Sequence, residues 1–101
     1  MPVKVTFWGV RGSIPCCSAE HTAYGGNTSC IEVNLDGETV IIDAGSGIRA
    51  LGISLAKRKI SRMTLLISHT HWDHICGFPF FYPAFQETSD LNIYAARLPD
   101  G

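Results

Sequence analysis

The sequence lacks an excess of either charge: eight Lys and Arg stand against nine Asp and Glu, a formal net charge of −1. A chain without a basic field does not draw a nucleic-acid backbone to its whole surface, so an RNA substrate would need a local or borrowed binding surface. No apolar run approaches the roughly 20 residues that a membrane helix needs. Met1-Pro2-Val3-Lys4-Val5 opens directly into an alternating pattern, without the long apolar core of a signal peptide. These absences predict a soluble, cytoplasmic protein with no membrane partner. Cysteine is present without pattern, since Cys16, Cys17, Cys30 and Cys76 form no C-x-x-C pair and adjacent cysteines bridge each other only under strain. Free thiols are therefore expected. Repeats, low-complexity tracts and linkers are also missing, and 101 residues leave room for one small domain. With 46% hydrophobic and 17% charged residues, the chain reads as folded rather than disordered.

What the sequence does have is a dense run of metal-binding side chains. Three of the four histidines fall inside Ser68-His69-Thr70-His71-Trp72-Asp73-His74, with a carboxylate between the last two, directly after the apolar stretch Met63-Thr64-Leu65-Leu66-Ile67. Turn and capping chemistry asks for the aspartate but not for three histidines beside it. Side chains alternate with period two on an extended segment, so His69 and His71 are expected on one side, both able to close on one ion. Asp73 and His74 follow where the chain turns and can face a second ion. Imidazole nitrogen and carboxylate oxygen together suit a borderline divalent metal such as zinc. His21 stands alone among polar residues and is read as a surface side chain.

Around this run the periodicity predicts a mixed set of elements. Val3, Val5 and Phe7 alternate with Lys4 and Thr6, which predicts a strand with one buried face. Gly9 to Pro15 reads as a tight loop, either at the rim of a metal site or simply a turn. Arg11 within it suits a phosphate or, more commonly, a carboxylate partner. Residues 16–27 are polar and small, and predict a loop. Thr28 to Leu35 is strand-like, Asp36-Gly37 is a hairpin signal, and Thr39 to Asp43 is so continuously apolar that burial on both faces is expected. Gly47 to Lys59 has helical spacing at Ile48, Leu51 and Leu55, and Lys57-Arg58-Lys59 reads as a cationic helix end rather than an RNA patch. The aromatic stretch Ile75 to Phe85, with its two prolines, predicts a rigid turn packed on the core, with base stacking as the rarer use. Leu91 to Ala95 predicts another strand, and Pro99-Asp100-Gly101 a turn.

The H-x-H-x-D-H run, together with Phe7 to Pro15, Tyr24 to Cys30 and Ile42 to Gly47, resembles the metallo-β-lactamase superfamily of metallo-hydrolases. Within it the likeness is to the phosphodiesterase-related branch, which includes the tRNA 3′-processing endonuclease Z and the phosphoribosyl cyclic phosphate phosphodiesterase. The resemblance implies an α+β fold, a metallo-β-lactamase-like αββα sandwich of which residues 1–101 supply the N-terminal part, roughly the first half. It implies two divalent metal ions, zinc first with manganese or iron as alternatives, held by His69, His71, Asp73 and His74. Asp73 would also be catalytic, orienting the nucleophile or taking its proton. Asp43 would support the site without ligating metal, a role compatible with the plainer one of satisfying backbone amides at a helix start.

The function so implied is a metal-dependent hydrolase of phosphodiesterase type, working through a metal-activated hydroxide on a small phosphodiester or nucleotide-like substrate, with RNA as a further candidate. Two alternatives stand beside it: a thioester- or lactam-hydrolysing member of the same superfamily, and a non-catalytic metal-binding half-domain that assembles with a partner. The superfamily's third histidine, bridging aspartate and final histidine have no counterpart after His74, where Asp90 and Asp100 follow no histidine. Half a site and an uncovered sheet face are therefore expected, completed by a C-terminal half or by a second copy of the chain.

Overall fold

Alternating and near-continuous apolar segments form one five-stranded mixed sheet in the computed structural model, which describes residues 2–17 and 24–95. The strands are β1 (Val3–Gly9), β2 (Cys30–Leu35), β3 (Glu38–Ile42), β4 (Arg62–Ile67) and β5 (Asp90–Ala95), and they lie in sequence order. β1, β2 and β3 pair antiparallel, whereas β3, β4 and β5 pair parallel. The β2–β3 hairpin turns at Asp36 and Gly37, both with positive φ (49° and 89°), which a two-residue type I′ turn requires at each position. A parallel pair needs a crossover. Helix α1 (Ile48–Lys57) carries the chain from β3 to β4, and a short helix α2 (Trp72–Ile75) followed by 3₁₀ turns at Phe78–Phe80 and Tyr82–Phe85 carries it from β4 to β5. His21, part of the loop predicted over residues 16–27, and Pro99-Asp100-Gly101 lie outside the described residues.

The core forms on one side of the sheet only. Ile48, Leu51 and Leu55 of α1, one helical stripe, pack with Cys30, Ile41, Met63 and Leu65 of the sheet and with Phe81 from the aromatic stretch, all fully or almost fully buried. Phe81 behaves as the sequence predicts for that stretch, but Phe80, Tyr82 and Phe85 are exposed. Glu32 is buried on the same side. Its carboxylate accepts hydrogen bonds from Trp8 Nε1 at 3.0 Å, Asn34 Nδ2 at 3.0 Å and Arg58 at 2.9 and 3.1 Å. Arg58 is thus more than a solvated helix end: it ties the C-terminus of α1 to β2. Burial pushes the Glu32 carboxyl up, but the Arg58, Trp8 and Asn34 hydrogen bonds and the Arg58 charge outweigh that and hold it below its ordinary value.

Two burial expectations are corrected. The register aligns Val3, Val5 and Phe7 with Leu35, Val33 and Ile31, then with Val40 and Ile42, Thr64 and Leu66, and Asn92 and Tyr94. This is the face away from α1. Val3, Val5 and Phe7 therefore form the exposed face of β1, with Phe7 65% accessible. For the same reason β3 is buried on one face only, at Thr39 and Ile41, while Val40 and Ile42 are half-buried. The alternation was sound, but nothing among the described residues covers that side. An apolar sheet face of this extent is the kind of surface that binds another element or chain.

Candidate metal centre

Strand direction brings the site together. β1 runs with β3 because each is antiparallel to β2, and β4 is parallel to β3, so the C-terminal ends of β1, β3 and β4 share one sheet edge. Loops leaving parallel strands at this edge are where such sheets place their chemistry. The loop after β1 holds Val10 to Pro15, the loop after β3 holds Asp43 to Gly47, and the loop after β4 holds Ser68 to His71.

These loops approach one another at backbone distance. Ala44 N–H donates to His74 O at 2.7 Å and Gly77 N–H to Ala44 O at 2.9 Å. A Cβ on Gly45 would stand 2.5 Å from Asp73 O, also 2.5 Å from Thr28 Oγ1, so only glycine fits there. Ala44 to Gly47 thus passes close beneath the ligand loop. The Val10 to Pro15 loop reaches the rim: Ser13, at φ 72°, directs its N–H to Asp73 Oδ2 at 3.3 Å.

All four ligand candidates gather at this edge. The His69 and His71 rings lie 4.7 Å apart, edge to face, and the His69 and His74 rings 4.0 Å apart. His69 and His71 are exposed, while Asp73 and His74 on α2 are half-buried. The expected division into a His69–His71 pair and an Asp73–His74 pair is not visible in these spacings, because His69 lies nearer to His74. His74 Nε2 stands 3.3 Å from Asp73 Oδ2. Two donors each about 2.0–2.1 Å from a tetrahedral zinc ion are separated by about 3.3–3.4 Å, so this pair already has the spacing of one edge of such a shell. Among the described residues no three His, Cys, Asp or Glu side chains are assembled to hold an ion as they stand. The donor set fits a borderline divalent metal in kind, three imidazoles and a carboxylate, and could supply part of a coordination shell.

Asp43 sits beneath these donors. It is 4% exposed and has φ 67°, the left-handed region that aspartate tolerates. Its carboxylate accepts from Ser68 N–H at 2.7 Å, from Ser68 Oγ, and from His74 Nδ1 at 2.8 Å. The amides at the start of α1 are not its partners: Gly47 N–H donates to Thr28 O, Ile48 N–H to Gly45 O and Arg49 N–H to Ser46 O. A carboxylate facing Nδ1 favours a ring proton there and turns Nε2 of His74 toward Asp73 Oδ2. Sequence reasoning named Asp43 but missed Ser68 and Ser13, whose roles depend on contacts 25 and 60 residues away.

Electrostatics favour the ionised carboxylate. Partial desolvation pushes Asp73 up, but amide hydrogen bonds from Ser13 and its own backbone, with the electrostatic pull of the neighbouring His74 and His69 side chains, hold it below its ordinary value. The nearby Cys30 thiol is pushed up to about 12 by burial, then by Asp43 and Glu32, so it stays protonated. Cys17, Cys30 and Cys76 are free thiols, as predicted. Beside the ligand loop a cavity of about 430 Å³ is lined by Ala44, Leu65, Ile67, Trp72 and Ile93 among others. Its walls are apolar and include none of the four ligand candidates. No helix among the described residues is long and apolar enough to cross a membrane.

Comparison with known proteins agrees on the fold. Residues 23–96 match the profile of the metallo-beta-lactamase superfamily. Ribonuclease Z of Haloarcula marismortui is 31% identical to this chain, over 100% of the chain and 30% of that enzyme. Ribonuclease Z of Methanococcus maripaludis is 34% identical over 94% of the chain and 29% of its own length. The chain thus spans less than a third of these relatives. Among solved structures, the metallo-beta-lactamase fold protein YhfI from Bacillus subtilis superposes with a TM-score of 0.69 at 23% identity, covering 94% of this chain and 37% of that one. A diphosphatase from the PhnP family superposes with a TM-score of 0.55 at 14% identity, covering 95% and 51%. The α+β fold expected from the sequence is the fold of these neighbours.

Proposed function

Because the chain belongs to the metallo-beta-lactamase superfamily, we propose that it is the N-terminal part of a metal-dependent hydrolase that cleaves phosphodiester bonds. The observation that carries the reading is the convergence of His69, His71, Asp73 and His74 at one sheet edge above the buried Asp43. The phosphodiester class is supported by the names of the relatives, ribonuclease Z and a PhnP-family diphosphatase. A small phosphodiester or nucleotide is the substrate that fits a net charge of −1, and RNA would have to find its basic surface elsewhere.

His69, His71, Asp73 and His74 would hold the ions, zinc first, with manganese or iron as alternatives. Bound divalent ions make water nucleophilic near neutral pH and stabilise charge developing on phosphate oxygens. Asp73, held ionised, would accept a proton or orient the attacking water. Asp43 fixes the orientation of His74, and Ser13 N–H holds Asp73 toward the rim. The remaining ligands would come from residues outside this sequence, and the open apolar face spanning β1 to β5 is where the rest of the sandwich would pack.

Elemental analysis tests the ligand set. The wild-type protein should carry divalent metal, and the His69→Ala/His71→Ala double variant should carry little; full stoichiometry in the double variant would contradict the assignment. Turnover of bis(p-nitrophenyl) phosphate against a thioester separates the phosphodiesterase from the thioester alternative. The isolated 101 residues should hydrolyse either substrate weakly or not at all. One observation favours the second reading, a metal-binding half-domain that assembles with a partner: Phe7, Tyr94 and Val3 expose apolar surface on a single face. Sedimentation of the chain decides it, since a stable dimer that binds metal without turnover is its signature.

A further inference from the structure

The position of one hydroxyl proton decides how His69 presents itself. Ser68 Oγ stands 2.9 and 2.7 Å from the two Asp43 oxygens and 3.0 Å from His69 Nδ1. A serine hydroxyl has one proton to give. Asp43 already accepts from Ser68 N–H on Oδ1 and from His74 Nδ1 on Oδ2, so it acts as an acceptor at both oxygens. If the hydroxyl proton went to His69, the serine oxygen would face two carboxylate oxygens at 2.7 and 2.9 Å with no proton between them, a contact between acceptors alone. The proton therefore goes to Asp43, where the bond is charge-assisted. The contact with His69 then needs a proton from the ring, on Nδ1.

We infer that Ser68 is a positioning residue that fixes His69 in its Nδ1–H tautomer and leaves the Nε2 lone pair free for a metal. One buried carboxylate then orients two imidazoles, His74 directly and His69 through the Ser68 hydroxyl. The arrangement follows from the parallel β3–β4 pair, which sets Asp43 and Ser68 side by side at the strand ends; Asp43 N–H also donates to Leu66 O at 2.8 Å. Without the hydroxyl, His69 is free to place its proton on Nε2, the nitrogen that must be bare to bind. The inference rests on the metal-binding reading above, but the tautomer belongs to the metal-free protein and is measurable there.

The test uses the ¹⁵N-labelled full chain and its Ser68→Ala and Ser68→Thr variants, metal-free, near pH 8, where an ordinary imidazole is neutral. Long-range ¹H–¹⁵N correlations of the ring nitrogens should show His69 as the Nδ1–H tautomer in the wild type and in Ser68→Thr, which keeps the hydroxyl. In Ser68→Ala the Nε2–H form should appear. Zinc titration against a chelator should show affinity about 10- to 100-fold weaker for Ser68→Ala, the usual cost of losing a group that orients a ligand, with recovery in Ser68→Thr. A wild-type His69 protonated on Nε2 overturns the inference, as does a Ser68→Ala protein with unchanged tautomer and affinity. Should Ser68→Ala not fold, the wild-type and Ser68→Thr spectra still decide. If the wild type takes up no zinc while His69 shows the Nδ1–H tautomer, the metal reading fails and the Ser68 assignment stands.

Discussion

Replacing Arg58 with alanine isolates a buried carboxylate, and the structure sets the expected cost. Glu32 is 2% exposed in its side chain and Arg58 38%, and the pair is joined at 2.9 Å. Removing one member of a buried ion pair costs about 3–5 kcal/mol, because the other charge is left without its counter-charge. Water screens part of the Arg58 charge, and Trp8 and Asn34 still donate to Glu32, so about 2–3 kcal/mol is expected here. For a chain of this size that lowers Tm by about 10–20 °C.

The pH dependence checks the cause. In the wild type the Glu32 carboxyl lies below its ordinary value of 4.5. Its stabilising contribution is therefore fully present above 4.5 and is lost as pH falls through the lower folded value. In Arg58→Ala burial is opposed only by Trp8 and Asn34, so the folded carboxyl rises from its wild-type position. Above both folded values the gap between wild type and variant is at its widest, and it narrows as pH falls and the variant carboxyl protonates first. Urea unfolding at pH 7 and on the acid side of 4.5 measures it, with circular dichroism as the signal. A gap below about 0.5 kcal/mol, in the range of an ordinary surface substitution, or one unchanged by pH, would refute the argument.

Three further outcomes are expected. Asp43→Asn keeps the shape but turns an amide donor or a neutral oxygen toward His74 Nδ1; zinc affinity should fall about 10- to 100-fold in chelator competition. Equal affinity would show that the Asp43–His74 contact does not orient the ring. Gly45→Ala drives a methyl into Asp73 O and Thr28 at 2.5 Å, so differential scanning calorimetry should show a loss of about 1–3 kcal/mol. A variant as stable as the wild type would mean that the two loops separate easily. Cys30, buried with its thiol at about 12, should resist a thiol reagent at pH 8 until the protein unfolds, while exposed Cys17 reacts first; mass spectrometry of the labelled peptides reads the order.

The sequence by itself determined what short spacing encodes. Period two in Val3 to Phe7 gave β1, the Asp36-Gly37 pair gave the hairpin, and Ile48, Leu51 and Leu55 gave the buried stripe of α1. The ligand run was legible because its four side chains are neighbours in the chain, so no fold was needed to see them together. Tertiary structure decided everything that joins distant residues. Ser13 meets Asp73 across 60 positions, Arg58 meets Glu32 across 26, and Ser68 meets Asp43 across 25. It also decided burial: alternation in β1 shows that two faces differ, but which one is covered depends on where α1 packs. Local torsional preference and side-chain period are properties of a segment, whereas burial, ion pairing and the placement of a proton depend on what the rest of the chain sets against it.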